Sequence, residues 1–112
     1  METDVAVALT DSYDKELVYR QLQYLLAELG GAEALIPPGK KVLVKPNLLA
    51  KVRPVEAVTT HPAVMEAVCR VVQDCGSQPV IAESPAGAYT PQVLRSIYQI
   101  CGMEEVSRAC GV

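Results

Sequence analysis

Three short aliphatic runs, Val5 to Leu9, Val42 to Val44 and Val80 to Ala82, alternate with stretches whose apolar residues repeat at helical spacing. This alternation constrains the fold more than any other feature of the chain. A compact apolar run bounded by polar residues suits a parallel strand buried on both faces, and helical segments between such runs supply the crossovers that parallel strands need. Val18, Leu22, Leu25, Leu26 and Leu29 form one helical stripe, which Asp11 or Ser12 can cap and Gly30-Gly31 ends. Pro62 suits the first turn of a second helix carrying Val64, Val68, Val71, Val72 and Cys75, closed by Gly76. Pro79 opens the third run. Thr90-Pro91 starts a third helix with Leu94, Ile97, Tyr98 and Cys101, and Met103 to Cys110 forms one more short helix. The expected fold is α/β: a three-layer, mostly parallel sheet in β-α-β-α-β-α order, Rossmann-like, within a single domain over residues 1–112. Because Gly111-Val112 falls where a fourth strand would begin, the expectation is a fragment of a larger domain, the N-terminal part of a longer protein.

Of the 112 residues half are hydrophobic and 21% are charged, which describes a globular chain. With no Phe or Trp, its core must be aliphatic. A net charge of −3 argues against a general nucleic-acid binder. No apolar run approaches a membrane span and the start is acidic, so no membrane partner is expected and the expected location is cytoplasmic. Cys69, Cys75, Cys101 and Cys110 form no C-x-x-C pair and there is a single His, so they read as reduced structural thiols, with no metal or other cofactor in this chain.

In an open parallel sheet, ligands bind beyond the carboxyl ends of the strands. Those ends deliver Asp11 and Ser12, Lys45 and Asn47, and Glu83 and Ser84. Lys45 follows a buried strand and needs a partner: it could bind a carboxylate or phosphate, act as a base if its pKa were lowered, or form a salt bridge to Glu83 or Asp11. Asn47 could donate to a ligand or make an ordinary turn. His61, at a helix mouth, could be a general base or a metal ligand, or a capping or packing residue. Thr59 and Thr60 could add hydroxyls to an anion site at this helix terminus, or simply cap it. The connection over residues 47–60 is long for a plain linker, and Lys51 and Arg53 make it locally basic. Glu83 could act as an acid/base, serve as a metal carboxylate, or pair with Lys45. No G-x-G-x-x-G or Walker A sequence is present, which disfavours classical dinucleotide or NTP binding.

Lys45-Pro46-Asn47-Leu48-Leu49, Glu56-Ala57-Val58-Thr59-Thr60-His61-Pro62 and Glu83-Ser84-Pro85-Ala86-Gly87 together resemble the motifs of the family named domain of unknown function 362. Gly30-Gly31 and Pro38-Gly39-Lys40-Lys41-Val42 fit the same pattern. The resemblance implies an uncharacterised, redox- or metabolism-linked prokaryotic protein, of which this chain matches the N-terminal part. Many members carry a ferredoxin-type cysteine run, so an iron–sulfur cluster is implied elsewhere in full-length relatives. This chain lacks that run and has Glu83 where many members have Asp. The expected site is a strand-end crevice for a small anionic metabolite, with Lys45, Asn47, Thr59, Thr60 and Ser84 binding and His61 and Glu83 as the catalytic candidates. The alternative is a non-catalytic scaffold, a homodimer or a docking domain, that joins a missing C-terminal region or a ferredoxin-like partner through its sheet edge.

Overall fold

A computed structural model describes residues 5–112. Helix α1 (Lys15–Glu28) and the short α2 (Ala32–Leu35) lead to strand β1 (Lys41–Val44). A 3-10 turn (Pro54–Glu56) precedes α3 (Pro62–Asp74), followed by β2 (Gln78–Ile81), α4 (Pro91–Ile100) and α5 (Met103–Cys110). The chain is mixed α/β with a small open parallel sheet. Lys41 stands opposite Gln78 and Val44 opposite Ile81, and α3 forms the crossover between the two strands.

The helices fall where the periodic stripes place them, although on α3 Val64 is exposed while Ala63, Met65, Ala67 and Cys69, outside the stripe, are buried. Asp14, rather than Asp11 or Ser12, caps α1: its Oδ1 accepts the Leu17 N–H at 2.9 Å. Pro62 and Pro91 occupy first-turn positions as expected, where a missing N–H leaves no bond unmade. β2 begins at Gln78, so Pro79 lies within the strand instead of opening it. Gln78 and Ala82 donate N–H groups toward β1. In a parallel ladder the intervening residue points the other way, so Pro79 lacks its donor on the outer edge, where proline blocks further pairing. The buried Ser77 hydroxyl accepts the Lys40 N–H at 3.0 Å and donates to the Pro37 carbonyl at 2.7 Å, which joins the entries of both strands and pins their register.

The first apolar run departs furthest from expectation. Val5 to Leu9 forms no strand, and among the described residues the sheet has two strands rather than three. Far from being buried on both faces, Val5, Val7 and Leu9 are 75%, 83% and 91% exposed. The segment has the composition of a strand but makes no ladder with β1, and a strand exists only through its partner's hydrogen bonds.

The core lies between the sheet and α3, α4 and α5. Val44, Leu48, Met65, Cys69, Val72 and Met103 belong to one buried cluster. α3 is buried on a second side too, where Ala63 and Ala67 receive Val18 of α1. Lys15 pairs with Glu66 at 2.8 Å, and Arg70 both pairs with Glu16 and lies over the Tyr19 ring, which ties α1 along α3. All four cysteines are free, three of them buried. Burial pushes the Cys69 thiol up to about 12, so it is protonated and inert at neutral pH.

Candidate functional site

Beyond β1 the chain stays extended, with alternate residues turned inward. Val44, Pro46 and Leu48 are buried, whereas Lys45, Asn47 and Leu49 face out. Lys45 therefore does not carry its charge into the core: its side chain is 65% exposed. The enclosed member of the set is Glu83, whose side chain is 8% exposed and meets the Lys45 ammonium at 2.8 Å. Glu83 Oε1 also accepts the Ser84 N–H at 2.6 Å. Lys45, then these backbone N–H groups at Ser84 and Leu48, hold the Glu83 carboxyl below its ordinary range. Tyr98 completes the frame, since its hydroxyl accepts the Glu83 N–H at 2.7 Å and donates to the Glu83 carbonyl.

Asn47 and Thr60 face each other across the base of the loop. The Asn47 N–H donates to Thr60 Oγ1 at 2.8 Å, and the Thr60 N–H donates to the Asn47 carbonyl at 2.9 Å. The Asn47 amide also reaches the Val58 carbonyl at 3.5 Å. Leu48 then drops into the core, and the Cys101 thiol donates to the Ala50 carbonyl. The long connection is thus a closed, packed loop. Thr59 is buried, with its hydroxyl unpaired among the described residues.

His61 caps α3 by accepting the Ala63 N–H on Nδ1 at 3.1 Å. Its ring stacks on Tyr13, with centroids 3.6 Å apart and planes 6° from parallel. Accepting on Nδ1 puts the proton of the neutral ring on Nε2, an assignment that follows from the hydrogen bond. Burial lowers the His61 pKa, so the neutral form is the stable one at pH 7. Such a ring presents a donor rather than a base. Pro62 has no N–H and Ala63 gives its own to His61, so the first two positions of α3 offer no backbone donor to an anion.

The expected residues accordingly fall into separate arrangements: the Lys45–Glu83–Ser84 group, the Asn47–Thr60 clasp, and the Tyr13–His61 stack. Of three cavities of about 160 to 210 Å³ none is lined by Lys45, His61 or Glu83, although one is lined by Asp11, Ser12 and Tyr13. Tyr13 and Tyr98 were not anticipated as part of this region. Tyr98 sits on a helix stripe that signals packing, and only the fold brings its hydroxyl to Glu83. Among the described residues no three His, Cys, Asp or Glu side chains converge as a metal site requires.

Acid should destabilise the protein in two steps. Both His61 and Glu83 have lowered folded-state pKa values, so each contributes stability above its unfolded pKa that is lost as pH falls through the folded one. The windows lie below about 6.5 and below about 4.3. Urea titrations across pH should show the upper step flattened in His61→Asn, which keeps a capping side chain, and the lower step flattened in Glu83→Gln.

The family model described as Domain of unknown function (DUF362) matches residues 42–112. A thylakoid-associated protein of Synechocystis sp. is 38% identical over 86 residues, which cover 77% of this chain and 27% of that protein. The chain therefore spans about a quarter of the length of this curated relative. No solved structure matches it. The match over residues 42–112 takes in all three motifs, with the strand end, the clasped loop and the Glu83 turn that they build, and the chain belongs to the family Domain of unknown function (DUF362).

Proposed function

We propose that this chain is a non-catalytic α/β module whose strand-end residues frame a docking scaffold within a longer family protein. The observation that carries this reading is the complete engagement of Glu83: its carboxylate is held by Lys45 and backbone N–H groups and enclosed by the fold. A general acid or base must exchange a proton with substrate at working pH, and a carboxylate with this lowered pKa has little tendency to take one. His61 is likewise occupied as a cap. In the longer protein, Val5 to Leu9 would complete a Rossmann-like, three-layer sheet, and any iron–sulfur cluster would be held by residues outside this chain. The outer edge of the sheet so completed would receive the missing C-terminal region. No helix among the described residues is long and apolar enough to cross a membrane. If the module shares the association named in its Synechocystis relative, it would do so through a surface.

A second reading rests on the exposure of Lys45, with Lys51 and Arg53 exposed in the following loop. Here the carboxyl edge binds a small anionic metabolite through those cations, with Asn47, Thr59, Thr60 and Ser84 around them. Thermal melts separate the two, because a ligand of the native state raises the Tm by mass action. The scaffold reading expects no shift with inorganic phosphate or a dicarboxylate at millimolar concentration. A rise that disappears in Lys45→Met would overturn it in favour of the anion site.

A further inference from the structure

One side of the molecule lacks the cover that its residues call for. Leu43 and Val80 stand opposite each other in the ladder and are 62% and 41% exposed, whereas their neighbours Val42, Val44 and Ile81 pack on the core. The same alternation holds in the segment before α1, where Ala6 and Ala8 are half-buried and Val5, Val7 and Leu9 are bare. Ala8 lines an apolar cavity of about 160 Å³ with Val18 and Leu22 of α1 and Ala67 of α3. Val44 shares its buried cluster with Met65, Cys69 and Val72 of α3. Val7, Leu9, Leu43 and Val80 therefore all turn away from the same helical layer. Lys41, exposed two residues before Leu43, belongs to this face, as does Lys45 two residues after it.

We propose that this bare face seats a second layer of amphipathic helix, supplied by the remainder of the family polypeptide. This deepens the scaffold reading and rests on it. Parallel sheets occur almost only with both faces covered, because their crossovers place helices there. Only one face is covered here. The chain spans 27% of its Synechocystis relative, so nearly three quarters of such a polypeptide is at hand to supply the second layer. The surface also states the chemistry of its occupant. An aliphatic stripe fits over Leu43 and Val80, with carboxylates beside it opposite Lys41. A second copy of this chain fits less well: a two-fold contact through this face would bring its lysines against themselves.

Thiol accessibility tests the proposal. The native cysteines at 69, 75 and 101 are buried, so Leu43→Cys or Val80→Cys places a distinguishable reactive thiol on the face without disturbing the core. Maleimide labelling, read peptide by peptide by mass spectrometry, is compared between the 112-residue chain and the full-length relative carrying cysteine at the aligned positions. Labelling at least about tenfold slower in the full-length protein is expected, with the short chain sedimenting as a monomer. Equal rates in the two would overturn the proposal. So would a concentration-dependent dimer of the short chain that protects the introduced thiol, since a second copy would then be the occupant. Neither result touches the scaffold reading itself, which stands or falls on the Lys45-dependent melts.

Discussion

Leu48→Ala is expected to cost about 2–5 kcal/mol, the range for truncating a fully buried aliphatic side chain. Leu48 is 1% exposed, although it lies outside any helix or strand. It shares a cluster with Val44, Met65, Cys69 and Met103, so the cavity would open where β1, α3 and α5 meet. The side chain also anchors the first residue beyond Asn47, and its loss would loosen the clasp to Thr60. For a chain of this size the cost corresponds to a fall in Tm on the order of 10–20 °C. Chemical denaturation monitored by circular dichroism would measure it. Leu48→Met, which nearly conserves volume, should cost less than about 1.5 kcal/mol. Equal behaviour of the two variants would show that the site collapses around the smaller side chain.

Gly102→Ala should be comparably harmful for two separable reasons. Gly102 joins α4 to α5 with φ of 83°, a left-handed conformation that costs an L-residue about 1–2 kcal/mol. A Cβ there would also lie 2.4 Å from Cγ of Pro62, the first residue of α3. Overpacking of this kind costs about 1–3 kcal/mol. The expected total is therefore about 2–5 kcal/mol. Pairing the change with Pro62→Ala removes the steric partner and leaves the backbone cost, so a double-mutant cycle should show recovery of the steric part alone. Additive effects would mean that Pro62 moves aside without cost.

Glu83 shows how physics divides between sequence and fold at the candidate site. A lysine after an apolar strand and a glutamate after another are legible as potential partners, and the pair does form. Which of them would be enclosed was not legible. The alternation that buries Pro46 and Leu48 turns Lys45 outward, while the turn after β2 folds the Glu83 carboxylate back onto the Ser84 N–H. The role of His61 was similarly split: its use as a cap is local, since its ring nitrogen accepts the N–H of Ala63 two residues on, but its stack on Tyr13 depends on a contact 48 residues apart.

The helices α1, α3 and α4 were determined by the sequence alone, because a 3.6-residue stripe with a polar or proline start and a glycine stop is local information. β1 was legible to within a residue and β2 to within two, as short apolar runs between polar residues. Whether a run becomes a strand at all is a tertiary matter. Val5 to Leu9 is as apolar as either strand, yet it remains unpaired because backbone hydrogen bonds of a sheet come from another segment and not from the run itself. The tertiary structure likewise decided that Asn47 and Thr60 close a loop and that Lys45 holds an enclosed carboxylate, since those bonds join groups that the chain brings together only on folding.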